Sequence, residues 1–216
     1  MPKHSTLECA AAFRRKLLAW FRAAGRDLPW RRTRDPYRVL VSEFMLQQTQ
    51  VARVLEFYGP FLERWPSLRA LARGPARAVR ESWEGLGYYR RAANLHRLAK
   101  QVVRDHGGEL PSDPDQLERL PGIGPYTAGA VATFAFERPT PAVDTNAGRV
   151  LRRVFGSATA KDTRSLAHDL QPRRGKTAWS FNQALMELGA LVCTARAPKC
   201  GECPVRRYCR WYLRRS

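Results

Sequence analysis

The sequence predicts an all-α protein, and three observations carry that reading. No segment sustains the period-2 alternation of a half-buried strand. Apolar residues recur instead at helical spacing, in short runs punctuated by Gly and Pro. The chain of 216 residues has 44% hydrophobic side chains and no internal repeat or low-complexity linker, which suits one domain of two lobes with a sizeable core.

The elements follow in order. In residues 7–24, Phe13, Leu17, Trp20 and Phe21 share one face. That spacing suits a helix docked on a core better than an Arg-bearing transit segment. Cys9 reads as a small buried hydrophobe. Leu28–Pro29–Trp30 breaks this helix. Residues 36–58 predict a second helix, with Val39, Leu40, Phe44, Leu55 and Phe57 among its apolar positions. Asp113 is placed to cap a helix that opens on Pro114 and runs to Leu120. Ala-rich Tyr126–Phe136, Asn146–Phe155 and Phe181–Leu191 complete the helices, and Arg138–Thr140–Pro141 suits a crossing between lobes.

The charge narrows the function. Thirty-eight Lys and Arg stand against 19 Asp and Glu, a formal net charge of +19. That is the electrostatic footprint of a nucleic-acid binder. The basic residues are spread through a chain rich in apolar residues, which places them on a folded surface rather than in a disordered arm. No run of eighteen apolar residues exists, so no membrane span is expected, and the N-terminus lacks an apolar signal core.

Four cysteines fall close together, Cys193, Cys200, Cys203 and Cys209, spaced C-x6-C-x2-C-x5-C. Thiolates are the soft ligands selected by zinc and by iron–sulfur clusters. Structural zinc normally takes two tight pairs, and only Cys200/Cys203 has that form; the ferredoxin spacings do not match either. The spacing resembles the [4Fe-4S] loop of the endonuclease III/MutY superfamily, with zinc as the alternative. A thiolate cluster beside one spare cysteine fits a reducing compartment.

Leu120–Pro121–Gly122–Ile123–Gly124–Pro125–Tyr126 lies between two predicted helices. Two glycines one residue apart permit a tight hairpin with accessible backbone N–H groups, and the helix start behind it suits a phosphate. It resembles the helix–hairpin–helix motif, which grips DNA backbone without reading sequence. Two acids differ in surroundings. Glu43 lies in the mostly apolar run Val39–Leu46, where burial raises a carboxyl pKa and suits an acid. Asp144 precedes a predicted helix start, where the N–H groups and dipole are expected to keep it ionised. Such a pair can work as acid and anion; each alone reads better as a solvated helix carboxylate or a cap.

A resemblance decides between these. Leu28–Pro29–Trp30–Arg31–Arg32, Val41 through Gln50, Trp83 through Tyr89, Asn94–Leu95–His96, the hairpin, Val143–Asp144–Thr145–Asn146, Phe181–Asn182–Gln183, Leu188–Gly189–Ala190 and the cysteine loop together resemble the MutY-type adenine DNA glycosylases, in order, over roughly residues 12 to 210. The resemblance implies a two-lobed helix–hairpin–helix DNA glycosylase fold with a C-terminal iron–sulfur loop. Residues 28–136 would form a helical-barrel lobe and residues 1–27 with 137–216 a cluster lobe, with the active site in the groove between them. It implies Glu43 as the acid that protonates adenine, Asp144 as the stabiliser of the sugar cation, and Tyr126 and Asn146 as support for that Asp. Arg26, Trp30, Arg31 and Gln183 match the adenine pocket. Gln48, Leu86 and Tyr88 match residues at or near the opened base pair, and Gly122, Gly124 and Thr127 belong to the DNA grip. The implied cofactor is a [4Fe-4S] cluster held by the four cysteines. The implied partner is duplex DNA with a mispaired base, and the protein is expected to be a cytoplasmic, nucleoid-associated monomer.

The residue types suit that chemistry. A base must leave the stack before it can be attacked, and a polar wedge and an aromatic can fill and brace the gap. Adenine is a poor anionic leaving group, so it needs a proton, and the sugar cation needs a carboxylate. Bifunctional relatives place a Lys nucleophile in the hairpin; here that position is Tyr126, and no Lys lies between Lys100 and Lys161. A monofunctional hydrolase is therefore expected. The chain stops at Ser216, without the further domain that senses 8-oxoguanine in full-length members, which leaves the opposite base open. Release of thymine or uracil opposite guanine, or a non-catalytic cluster-bearing DNA module, are the alternatives.

Overall fold

The computed structural model describes residues 6–215, with side chains from residue 10 onward. Its helices are α1 (Thr6–Ala24), α2 (Pro36–Leu46), α3 (Val51–Arg64), α4 (Leu68–Arg73), α5 (Ala76–Glu81), α6 (Arg90–Asp105), α7 (Pro114–Glu118), α8 (Pro125–Phe136), α9 (Thr145–Phe155), α10 (Ala160–Leu170), α11 (Gly175–Leu191) and α12 (Arg210–Leu213). Among the described residues there is no strand, as the absence of period-2 patterning predicts, and no helix is long and apolar enough to cross a membrane. The side chain of Cys9 lies outside the described residues. The chain divides into two compact units, a continuous one of residues 27–136 and a discontinuous one of residues 1–26 and 137–216.

In the continuous unit, α2 and α8 pack on each other. Neither is amphipathic. Every residue of α2 from Tyr37 to Met45 is buried except Arg38, and α8 is buried from Thr127 to Ala135. Helices apolar all round belong at the centre of a fold. Asp35 caps α2 by accepting from the Arg38 N–H at 2.9 Å, and Pro36 fits its first turn. The amphipathic α6 supplies Leu95, Leu98, Ala99 and Val102. Trp83, fully buried, stands edge-on to Phe61 at 5.5 Å.

One predicted element is corrected. Residues 36–58 are two helices, α2 and the start of α3, interrupted at 47–50. Gln48 there takes φ 56°, a left-handed conformation rare for a side-chain-bearing residue. Apolar spacing cannot foresee the break, because the residue that holds it is Arg91, far along the chain. Two boundaries also move. The Asp113-capped helix opens on Pro114 as expected but ends at Glu118. The helix read from Phe181 begins at Gly175, where a polar first turn hides the start. An added Cβ at Gly175 would lie 1.8 Å from the Glu137 carbonyl oxygen, so only glycine fits that crossing.

In the discontinuous unit, α1 docks as its stripe predicts. Phe13 and Leu17 are fully buried, with Trp20 and Phe21 partly buried beside them. The Phe13 ring meets Phe155 at 5.1 Å and Phe181 at 6.4 Å, both edge-on. The core continues through Val150, Leu151, Leu185 and Leu188 of α9 and α11. Asn182, buried in α11, accepts from the Ala142 N–H at 2.8 Å and donates to the Ala178 carbonyl at 2.9 Å, which fastens the segment before α9.

Helix α11 lies close against α9 at Gly189, where an added Cβ would lie 2.6 Å from Asn146 Cβ and 2.8 Å from its carbonyl oxygen. Both contacts involve atoms tied to the α9 backbone, so neither can swing aside. Gly189→Ala is expected to destabilise the protein by about 1–3 kcal/mol. A thermal melt followed by circular dichroism checks this, and an unchanged Tm would contradict it.

Candidate functional site

The continuous unit holds the first constellation. Glu43 is 4% exposed, set in the all-buried α2, as its apolar neighbours in sequence suggest. The Tyr126 hydroxyl, from the first turn of α8, donates to Glu43 Oε2 at 2.9 Å. Tyr126, matched by the resemblance to a support for Asp144, is bonded here to Glu43. That bond helps to fix the rotamer of the buried carboxyl.

The hairpin Leu120–Pro125 precedes α8. Gly122 takes φ 80°, and a Cβ there would lie 2.7 Å from Asn94 Cβ and 3.0 Å from the Phe44 ring. It is glycine both for its backbone angle and for packing. Gly124 faces open space, where a Cβ would meet nothing within 4 Å. Thr127, grouped with the grip on sequence grounds, is 3% exposed, so its side chain belongs to the core.

Two turns carry the candidate probes of an opened base pair. Gln48 is exposed after α2, and Tyr88 is 61% exposed before α6, with φ 47°. Leu86 differs from them: at 5% exposure it packs inward. Of the pocket candidates in this unit, Trp30 is buried edge-on to Tyr58 at 5.4 Å, and Arg31 is half-buried.

The second constellation lies in the discontinuous unit. Asp144 caps α9. Its Oδ1 accepts from the Ala147 N–H at 2.7 Å and its Oδ2 from Asn146 Nδ2 at 3.1 Å. Burial pushes the Asp144 carboxyl above its ordinary value, against the pull of the Ala147 N–H, Asn146 and the Arg149 charge. The expected effect of the helix start is thus present but outweighed by lost solvation. Asn146 Oδ1 accepts from Arg149 Nη2 at 2.7 Å, and Arg149 also donates to the carbonyls of Gly189 at 2.7 Å and Cys193 at 2.8 Å. Asn146 thus donates to Asp144, and Arg149, which sequence reading passed over, donates to Asn146.

Arg26 and Gln183 were both singled out for the adenine pocket. Gln183 is 6% exposed on α11. Arg26 is held by Glu187. Its backbone N–H and Nε reach Oε1 at 2.8 Å, and Nη2 reaches Oε2 at 2.9 Å. Glu187 is fully buried, and its hydrogen bonds and charge drive the Arg26 pKa further upward. Glu187 was missed, although a lone acid among the apolar residues of α11 is the signal that marked Glu43.

The four C-terminal cysteines line one cavity with Val150, Val154, Leu188, Val192 and Val205. Burial, reinforced by Cys193, Cys209 and Cys200, pushes the Cys203 thiol up to about 11, and burial also raises Cys209. Buried thiols bunched this way become thiolates only beside strong positive charge, which iron supplies. Arg153 Nη1 donates to Cys193 Sγ at 3.3 Å and to the Thr194 carbonyl at 2.7 Å. The donor set, its apolar wall and this cation fit an iron–sulfur cluster.

Comparison with known proteins agrees. Residues 41–173 match the family model described as HhH-GPD superfamily base excision DNA repair protein, and residues 193–209 match the iron–sulfur binding domain of endonuclease III. An adenine DNA glycosylase of Mycolicibacterium smegmatis is 49% identical over 91% of this chain and 68% of its own length. The chain spans about two thirds of the length of the first such relatives. Among solved structures, a thermostable thymine-DNA glycosylase aligns with TM-score 0.91 at 32% identity, over 98% of this chain and all of that one. A non-covalent endonuclease III–DNA complex aligns with TM-score 0.83 at 25% identity, over 98% and 99% of the two chains. The chain carries a [4Fe-4S] cluster, and the segment that matches contains the four cysteines.

Anaerobically purified protein is accordingly expected to carry about four irons and four sulfides per chain. Cys209→Ser should lower both the iron content and the Tm. Metal analysis that returned stoichiometric zinc and no iron would contradict this.

Proposed function

The chain belongs to the HhH-GPD superfamily of base excision DNA repair proteins, and from that membership we propose that it is the catalytic core of a monofunctional adenine DNA glycosylase. Its partner is double-stranded DNA, and its substrate is adenine mispaired with 8-oxoguanine or guanine. The observation that carries the reading is the buried Glu43 carboxyl with the Tyr126 hydroxyl bonded to one of its oxygens.

A carboxyl in that setting suits general acid catalysis. Tyr126 holds the carboxyl in a fixed orientation, and the carboxyl is proposed to deliver its proton to a purine ring nitrogen. As the C–N bond weakens, the proton allows adenine to depart neutral, and the deoxyribose develops positive charge. Asp144 stabilises that charge. The Ala147 N–H and Asn146 amide fix one oxygen each, so the carboxylate needs no reorganisation when the cation forms. Water then adds to the sugar. With Tyr126 at the hairpin position and no Lys from 101 to 160, no amine in that segment competes as nucleophile, so hydrolysis is the outcome. The net charge of +19 supplies affinity for the phosphate backbone, and the hairpin glycines let the backbone approach closely. Gln48 and Tyr88 are proposed to enter the duplex as the base leaves the stack. Arg26, Trp30, Arg31 and Gln183 are proposed to read adenine, an amide being suited to its donor–acceptor edge. The cluster is proposed to staple the chain around Cys193–Cys209.

A second reading, excision of thymine or uracil opposite guanine, has one observation in its favour. The chain aligns with a thermostable thymine-DNA glycosylase with TM-score 0.91 at 32% identity. Thymine, however, offers no purine ring nitrogen for Glu43 to protonate.

Two assays test the proposal. Single-turnover excision on duplexes carrying A opposite 8-oxoguanine, A opposite G, T opposite G and U opposite G should release adenine. Release of thymine or uracil without adenine would replace the first reading by the second. Glu43→Gln should slow adenine excision by at least about 100-fold while leaving affinity for matched duplex nearly unchanged; near-normal rates would remove Glu43 from the acid role.

A further inference from the structure

The two exposed probes have an unusual backbone in common. Gln48 and Tyr88 are, with Glu137, the non-glycine residues that take positive φ among the described residues, at 56° and 47°. Isolated, each conformation is unfavourable and relaxes unless the surrounding structure holds it. Both are held by one side chain. Arg91, in the first turn of α6, is 7% exposed. Its Nη1 donates to the carbonyls of Phe44 at 3.1 Å, Met45 at 2.6 Å and Gln47. Its Nη2 donates to the carbonyls of Leu86 at 3.3 Å and Gly87 at 3.1 Å.

The acceptors at 47 and 87 matter most. The peptide plane that carries the Gln47 carbonyl is one side of the φ rotation of Gln48, and the Gly87 carbonyl plane is one side of that of Tyr88. A guanidinium that fixes both planes fixes both left-handed residues. The Gly87 carbonyl is also bonded by Trp83 Nε1 at 3.2 Å, and the guanidinium carbon lies 5.5 Å from the centroids of the Trp83 and Tyr88 rings. Lysine could not replace it, having one point of charge where two planar nitrogens serve two separate turns.

We propose that Arg91 is a positioning residue that sets Gln48 and Tyr88 together, as a preformed pair, for entry into the DNA duplex. The inference rests on the proposed role of those two residues and adds what makes them ready before DNA arrives. Two exposed side chains ordered in advance lose less freedom when they replace an extruded base, so extrusion is favoured and not merely accommodated. Arg91 touches neither base nor sugar in this scheme, and its effect reaches the reaction only through the two turns.

The test uses the whole chain with its cluster. Base extrusion is read by 2-aminopurine placed next to the target adenine, in the Glu43→Gln background to stop excision. Single-turnover excision is read with Glu43 intact, and affinity is read on fully matched duplex. Arg91→Lys, which keeps charge and most of the volume, is the main variant, with Arg91→Ala beside it. Circular dichroism and Tm establish that each is folded. The expected result for folded Arg91→Lys is a weak extrusion signal and excision slower by about 10- to 100-fold at saturating enzyme, with matched-duplex affinity within about two-fold. A double-mutant cycle with Tyr88→Ala separates positioning from general loss of structure. If Arg91 acts through Tyr88, the combined loss is smaller than the product of the single losses, whereas a purely structural role gives the full product.

Extrusion and excision at wild-type level in folded Arg91→Lys would overturn the inference, and so would full multiplicativity in the cycle. The controls Gln48→Ala and Tyr88→Ala test the reading beneath it. If both retain the full extrusion signal, the probe role itself falls and the inference with it. If either loses the signal while Arg91→Lys keeps it, only the inference falls.

Discussion

The last turn of a helix that runs into the interior must find partners for its final carbonyls within the protein, and that constraint organises the continuous unit. Its central helix, α2, carries a carboxyl near its last turn and leaves its final carbonyls in the interior. Each such group must find a partner within the protein or forfeit its solvation. Tyr126 answers the carboxyl, and Arg91 answers the carbonyls of Phe44, Met45 and Gln47. Both partners arrive from elements distant in sequence, α8 and α6, so satisfying α2 also fixes what surrounds Glu43. The two groups proposed for function, the acid and the probe after it, sit on either side of this one helix terminus.

The discontinuous unit meets the same constraint with ion pairs and amides. Glu187 is the most deeply buried charge described there, and Arg26 reaches it with backbone and guanidinium alike. Separating a buried pair of this kind leaves an uncompensated charge, which costs about 3–5 kcal/mol. Arg149 and Arg153 do related work beside the cysteine cavity, where they bond carbonyls and one sulfur that apolar walls would otherwise isolate. The interior of this basic protein is thus held by arginines as well as by its core, and only part of the positive charge counted in the sequence is surface charge.

Features that depend on local order were readable from the sequence. The Asp113–Pro114 cap, the amphipathic stripe of α1, the burial of Glu43 and the Asp144 cap of α9 each follow from residues a few positions apart. The cysteine spacing and the hairpin were readable for the same reason. Features that depend on long-range partners were not. The interruption at 47–50 needs Arg91, the support of Arg26 needs Glu187, and the upward shift at Asp144 needs the packing that removes its water. Leu86 and Thr127 sit in motifs whose neighbours face outward, and motif membership alone does not tell an inward side chain from an outward one.

Gly122 links features described separately above. A methyl group added there would press on Asn94 and on the ring of Phe44, the residue that follows Glu43. Anyone dissecting this protein by mutation therefore inherits an entanglement. Substituting that glycine to weaken the grip on DNA also shoves the helix that presents the acid. Binding and chemistry lost together in such a variant would not reveal a shared role, only a shared wall. Gly124, with open space where its side chain would be, is the position at which the hairpin can be altered without disturbing its neighbours.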